Sequence, residues 1–103
     1  MDSRKGILPM TSLQIGYFLT AARQMSFTKA AAELYITQPS LSKQITNLES
    51  ELGVELFDRS VRTKLRLTPA GATLRDFFTR STEEFNQVLQ AAQDENGTLS
   101  GTL

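Results

Sequence analysis

Gln38, Ser40, Ser42, Lys43 and Thr46 put a carboxamide, three hydroxyls and an ammonium along one short stretch that no acid interrupts. Carboxamides and hydroxyls both donate and accept hydrogen bonds, so the stretch is suited to matching a donor and acceptor pattern on another molecule. A glutamine so placed can pair with an adenine edge in a DNA major groove. Bond-breaking chemistry is poorly provided for. The chain has no cysteine and no histidine, which removes thiolate nucleophiles, imidazole bases, zinc fingers and disulfides together. No glycine loop of the phosphate-cradling kind is present. Glu49, Glu51, Glu83 and Glu84 remain for carboxylate pairs, and all four read as solvated helix residues. An enzyme is therefore not expected.

A second group of side chains is cationic. Arg59, Arg62, Lys64 and Arg66 follow one another with only Asp58 beside them. The net charge of the 103-residue chain is zero, which argues against a generic polyanion binder, but the charge is unevenly placed. From residue 1 to 75, ten basic residues stand against six acids; beyond it, Arg80 alone stands against five. On charge alone, the cationic group serves a solvated hairpin as well as an anion-binding one.

The elements that position these groups follow from periodicity and punctuation. Residues 1–11 show no periodic pattern and read as a flexible leader. Leu13, Tyr17, Phe18, Ala21 and Met25 recur at helical spacing from residue 12 to about 24, with Ile15, Leu19 and Ala22 as a second apolar stripe. A helix apolar on two sides packs against two elements. Ser26 or Thr28 caps a short helix over 29–34, and Tyr35 and Ile36 make a tight turn. Thr37 caps a third helix, Pro39 sits in its first turn without losing a bond, and Gly53 stops it after about residue 52. Leu41, Ile45, Leu48 and Leu52 form its core stripe, which turns Pro39, Ser42, Lys43, Thr46 and Asn47 to the far side. Short strand-like pieces at 56–57 and 65–67 flank the basic tip. Thr68 and Pro69 open a long helix to about residue 93, where Leu74, Phe77, Phe78, Phe85, Val88 and Leu89 are spaced close to a heptad seam. Residues 94–103 read as a linker. The fold class is mainly α, a winged helix-turn-helix followed by a long dimerisation helix: residues 12–68 form the first unit and 69–93 the helix.

Several of these segments resemble the LysR-type transcriptional regulators: Phe18; Ser26-Phe27-Thr28-Lys29-Ala30-Ala31-Ala32-Glu33-Leu34; Thr37-Gln38-Pro39-Ser40-Leu41-Ser42-Lys43-Gln44-Ile45; Leu48-Glu49; Glu51-Leu52-Gly53-Val54-Glu55-Leu56-Phe57-Asp58-Arg59; and Leu67-Thr68-Pro69-Ala70-Gly71. Ordered blocks at consistent spacing are far more specific than a lone motif. The resemblance implies that Gln38, Pro39, Ser42 and Lys43 touch bases or phosphates, that Thr28 and Lys29 lie near the backbone, and that Arg62 occupies the minor-groove position of the wing. Thr37, Ser40, Thr46 and Arg59 complete the expected DNA-binding set. Ile15, Leu19, Leu74, Phe77, Phe78, Phe85, Val88 and Leu89 form the expected dimer interface.

Two features depart from the family pattern. Lys43 stands where arginine is frequent, and a lysine cannot fork to a guanine edge, so phosphate contact is expected of it. The wing is one residue longer between Arg59 and Leu67, which leaves Lys64 and Arg66 without a role by correspondence. The resemblance further implies a cytoplasmic protein, an inverted-repeat operator containing A·T pairs on double-stranded DNA, a homodimer or tetramer, and RNA polymerase as a partner of an intact regulator. No cofactor is expected in this stretch; a small-molecule effector belongs to a carboxy-terminal domain beyond it. The competing reading is a protein-interaction module that uses the winged scaffold and long helix without binding DNA.

Overall fold

The computed structural model describes residues 11–60 and 64–96. Its elements run α1 (Ser12–Gln24), α2 (Phe27–Leu34), α3 (Gln38–Leu52), β1 (Phe57–Asp58), β2 (Arg66–Leu67) and α4 (Pro69–Asn96). The expected mainly helical architecture with a two-stranded wing is what forms. Residues 1–10 of the expected leader, Arg62, which was expected in the wing, and residues 97–103 of the expected linker lie outside the described residues.

Local chemistry explains each boundary. Thr11, expected in the leader, caps α1: its hydroxyl accepts from the Gln14 amide at 3.1 Å while the Gln14 side chain accepts from the Thr11 amide at 3.0 Å. This reciprocal box satisfies donors at both ends of the first turn. Ser26, not Thr28, caps α2 by accepting from the Lys29 amide at 3.1 Å, so the helix starts two residues earlier than expected. Both helix-to-helix corners are made by side-chain-bearing residues in the left-handed region, Met25 at φ 50° and Tyr35 at φ 60°. Gly53, at φ 75°, ends α3, where a residue without Cβ adopts that conformation freely.

The core gathers Phe18, Ala21 and Ala22 of α1, Ala30 and Ala31 of α2, Leu41, Ile45 and Leu48 of α3, Leu56 and Phe57 before and in the wing, and Phe78 of α4. The alanines at 30 and 31 let α2 approach its neighbours closely, and the large side chains fill the middle. Phe57 meets Phe18 edge to face at 5.7 Å between centroids and Phe27 at 5.3 Å. Phe78 meets Phe18 at 6.2 Å. Such pairs add about 0.5–1.5 kcal/mol each beyond area burial. Outside the core, Glu33 of α2 accepts from Gln24 at 2.7 Å and pairs with Arg23, clasping the ends of α1 and α2 together.

The hairpin pairs Phe57 with Leu67 and Asp58 with Arg66. β1 therefore starts one residue later than the expected strand, and β2 covers only 66–67. α4 is anchored to the wing by Thr68, whose hydroxyl donates to the Glu55 carbonyl at 2.5 Å and accepts from the Gly71 amide at 2.9 Å. Gly71 lies so close to the wing that a Cβ there would stand 2.1 Å from the Leu56 carbonyl oxygen. Phe78 and the half-buried Leu74 keep the first part of α4 on the body, and the helix continues to Asn96, beyond the expected end near 93.

Gly71→Ala should therefore lower stability by about 1–3 kcal/mol or more, because the obstacle is backbone that cannot step aside. Gly16→Ala, in open space on α1, should raise it by about 0.5–1 kcal/mol. Urea midpoints of the two variants in opposite directions check both. The pH dependence has a defined sign. The Gln24 and Arg23 side chains hold the Glu33 carboxyl below its ordinary value of 4.5, so the stabilisation is fully present above that value. It is lost as pH falls through the depressed one. Glu33→Gln should lower the thermal midpoint slightly in the neutral region and leave it nearly unchanged in acid, so that the limb below pH 4.5 is flatter than in the parent.

Candidate nucleic-acid interface

α3 presents its polar side as expected. Thr37, Gln38, Pro39, Ser40, Lys43 and Thr46 are exposed, Ser42 is half-buried, and Leu41, Ile45 and Leu48 hold the opposite side in the core. The Thr37 hydroxyl accepts from the Ser40 amide at 3.2 Å and Pro39 has no amide to offer. Of the first-turn donors, that leaves the Gln38 amide at a helix end carrying no acid in its first turn. Such an end attracts anions through its free amide and the helix dipole.

Gln38 and Ser42 act as a pair. One turn apart on α3, they are joined by a 2.9 Å hydrogen bond from Gln38 Nε2 to Ser42 Oγ. The bond uses one amide hydrogen and restrains a side chain that would otherwise sample many rotamers. The carboxamide oxygen, its second N–H and the Ser42 hydroxyl hydrogen remain for an outside partner. Their preset geometry lowers the ordering entropy of recognition.

Thr28 and Lys29 are exposed on the first turn of α2, beside the Ser26 cap. Arg59 is placed differently from a free phosphate ligand. Its guanidinium donates to Glu49 at 3.3 and 3.4 Å and lies 5.4 Å from the centre of the Phe27 ring. Arg59 is thus half-consumed by internal contacts, with a side chain 40% exposed. Arg66 pairs across the hairpin with Asp58 at 3.7 Å.

Glu49 corrects the sequence reading. It was expected to be solvated and is buried. Its Oε2 accepts from the Leu56 amide at 2.7 Å and the Phe57 amide at 3.2 Å, and its Oε1 pairs with Arg59. The carboxylate therefore fixes the wing to α3. A signal was present: Glu49 follows Ile45 by four residues, which puts it on the core stripe. Glu51 also differs from expectation, being half-buried with one carboxylate oxygen out of water, whereas Glu83 and Glu84 are exposed as expected.

The expected dimer residues divide into two groups. Phe77, Phe85, Val88 and Leu89 are exposed apolar residues on α4, at 52, 63, 60 and 41%. Phe78 is instead buried in the core against Phe18, since the first turns of α4 lie on α1 and spend that side chain within the chain itself. Leu74 also packs on the core, as do Ile15 and Leu19, all three half-buried. Among the described residues there is no cluster of three or more metal-ligating side chains, and no helix is long and apolar enough to cross a membrane.

A capped recognition-type helix, a tight corner, a wing locked to that helix and a long following helix with a bare apolar side define a winged helix-turn-helix module of the regulatory kind. Residues 13–72 match the family described as bacterial regulatory helix-turn-helix proteins, lysR family, and the chain belongs to that family. It is 37% identical over 90 residues to the HTH-type transcriptional regulator BsdA of Bacillus subtilis, covering 87% of this chain and 31% of that one. Among solved structures, it resembles the BenM DNA-binding domain in complex with benA site 1 DNA, with a TM-score of 0.79 and 34% identity over 85% of this chain and 98% of that one. It also resembles Vibrio fischeri DarR in complex with DNA, with a TM-score of 0.74 and 29% identity over 84% of this chain and 30% of that one. The chain spans about 30% of the length of the curated relatives it matches.

Glu49→Ala should destabilise the chain by about 2–3 kcal/mol, since it strands two buried amides and a guanidinium at once. Glu49→Gln, which can still accept from one amide, should lie between it and the unsubstituted chain. Chemical denaturation orders the three, and equal midpoints for Glu49→Ala and the parent would exclude the clamp.

Proposed function

We propose that this chain is a sequence-specific DNA-binding module of a transcription regulator, with residues 12–68 forming the DNA-binding unit and 69–93 the dimerisation helix. One observation carries the reading: the preset Gln38–Ser42 pair at the exposed, acid-free end of α3. That end enters a major groove, Gln38 and Ser42 meet base edges, and Lys43, Thr28 and Lys29 meet phosphates. Arg59 acts mainly by holding the wing in place, with its exposed part available to the backbone. The complexes of similar domains with DNA support the same class of ligand.

The bare side of α4 supports self-association. Phe77, Phe85, Val88 and Leu89 expose more apolar surface than a lone helix usually leaves in water, at heptad-like spacing. A homodimer would place two α3 ends about 34 Å apart and select an inverted repeat. An effector-binding domain and contact with RNA polymerase, where they exist, belong to a longer polypeptide.

Selection from a randomised duplex pool should enrich an inverted repeat, and no enrichment would sink the reading. Gln38→Ala and Ser42→Ala should weaken the selected site by about 1–3 kcal/mol while changing random duplex little, whereas Lys43→Ala should weaken both alike. Phe85→Glu should convert a dimer to a monomer in sedimentation equilibrium, with the far-ultraviolet helix signal largely kept.

A further inference from the structure

The extended wing carries two cations that family correspondence leaves without a role, and the structure separates them. Arg66 is paired with Asp58 at 3.7 Å across the hairpin. Lys64 is exposed and makes no hydrogen bond or ion pair among the described residues. Arg59, the other described basic residue of the wing, is engaged by Glu49 and Phe27. Lys64 is therefore the uncommitted charge of the wing's described part. It borders an open groove of about 510 Å³ that Met25, Leu65 and Arg66 also line, between the α1–α2 corner and the wing. Apolar surface from Met25 and Leu65 lies in that groove beside the cationic rim.

The charges around the groove decide what it suits. Asp58 is the acid nearest this rim in the hairpin, and it stays ionised: the Ser60 hydroxyl and amide, then Arg66, hold its carboxyl below the ordinary carboxylate value. Arg66 offsets that charge, so the pair is close to neutral as seen from outside. The field that remains is the ammonium of Lys64, above apolar walls. A sugar–phosphate strand matches such a groove, with deoxyribose against Met25 and Leu65 and a phosphate against the ammonium. α2 begins at Phe27, two residues after Met25, and exposes Thr28 and Lys29 in its first turn.

We infer that Lys64 and the Met25–Leu65 groove form an additional DNA-backbone contact, which rests on the DNA-binding reading above. The one-residue extension of the wing thus adds a phosphate anchor and lengthens the footprint without adding base readout. A contact of this type contributes to affinity for every sequence equally and is released by salt.

The test is the affinity of the full chain for a selected duplex and for a random duplex of equal length, measured across a series of salt concentrations. Lys64→Gln should weaken both duplexes by the same factor, about 3- to 10-fold per protomer at low salt, and make the slope of log affinity against log salt shallower by about 0.9 per bound protomer, about 1.8 for a homodimer. Lys64→Arg should keep the parent slope. The double variant Asp58→Asn with Arg66→Gln, which removes a matched pair, should also keep it. A parent slope in Lys64→Gln overturns the inference while leaving the DNA-binding reading intact. A loss in the double variant as large as that in Lys64→Gln overturns the assignment to Lys64. Failure of the unsubstituted chain to bind either duplex overturns the reading and this inference together.

Discussion

A buried carboxylate governs how this molecule presents itself. Glu49 reaches from the last turns of α3 to two amides at the entry of the wing and to Arg59, which in turn lies over Phe27 at the start of α2. Three pieces of chain remote in sequence are thereby given one relative placement. Burying a carboxylate is unfavourable unless its lone pairs are satisfied, and here amides and a guanidinium satisfy them. Hydrophobic packing alone would bring α3 and the wing together without fixing their angle, because apolar contacts are non-directional. Directional bonds to a single carboxylate supply the angle. The exposed side of α3 keeps one placement relative to the wing because a charge behind it is satisfied in one arrangement.

Much of this fold was legible in the residues. The core stripe Leu41, Ile45, Leu48 and Leu52, the caps Ser26 and Thr37, the proline starts and the Gly53 stop are local signals whose physics lies within a few residues, and the helices formed close to where those signals put them. What escaped notice depended on partners distant in sequence. Nothing local says that Glu49 will face the Leu56 amide, or that Phe78 will turn inward to Phe18 while Phe77 beside it turns out. Thr11 escaped for a different reason: its reciprocal bond with Gln14 is local, but the apolar period begins only after it. β1 begins at Phe57 and not at Leu56, whose amide Glu49 takes from outside the sheet.

The candidate site divides in the same way. Gln38, Ser42 and Lys43 could be singled out from type and spacing because an amphipathic helix sorts its faces by period. The hydrogen bond between Gln38 and Ser42 depends on rotamers, and the divided loyalties of the wing cations depend on cross-strand register. Asp58 opposite Arg66 follows from the hairpin pairing, and Arg59 turns inward because a buried acid waits there. Counting basic residues treated them as alike; their partners make them different.

The close approach of Gly71 to the Leu56 carbonyl has a mechanical consequence. It seats the first turn of α4 against the wing with no side chain between them, while beyond Phe78 most of the helix stands clear of the body. A 28-residue helix extends about 42 Å, so the seat acts as the fulcrum of a long arm. A tilt of about 5° at that fulcrum would carry the far end through roughly 4 Å, close to the rise of one base-pair step. In the proposed homodimer, tolerance at the fulcrum sets how faithfully the two heads keep step along a duplex. A glycine with no room for a methyl group keeps that tolerance small.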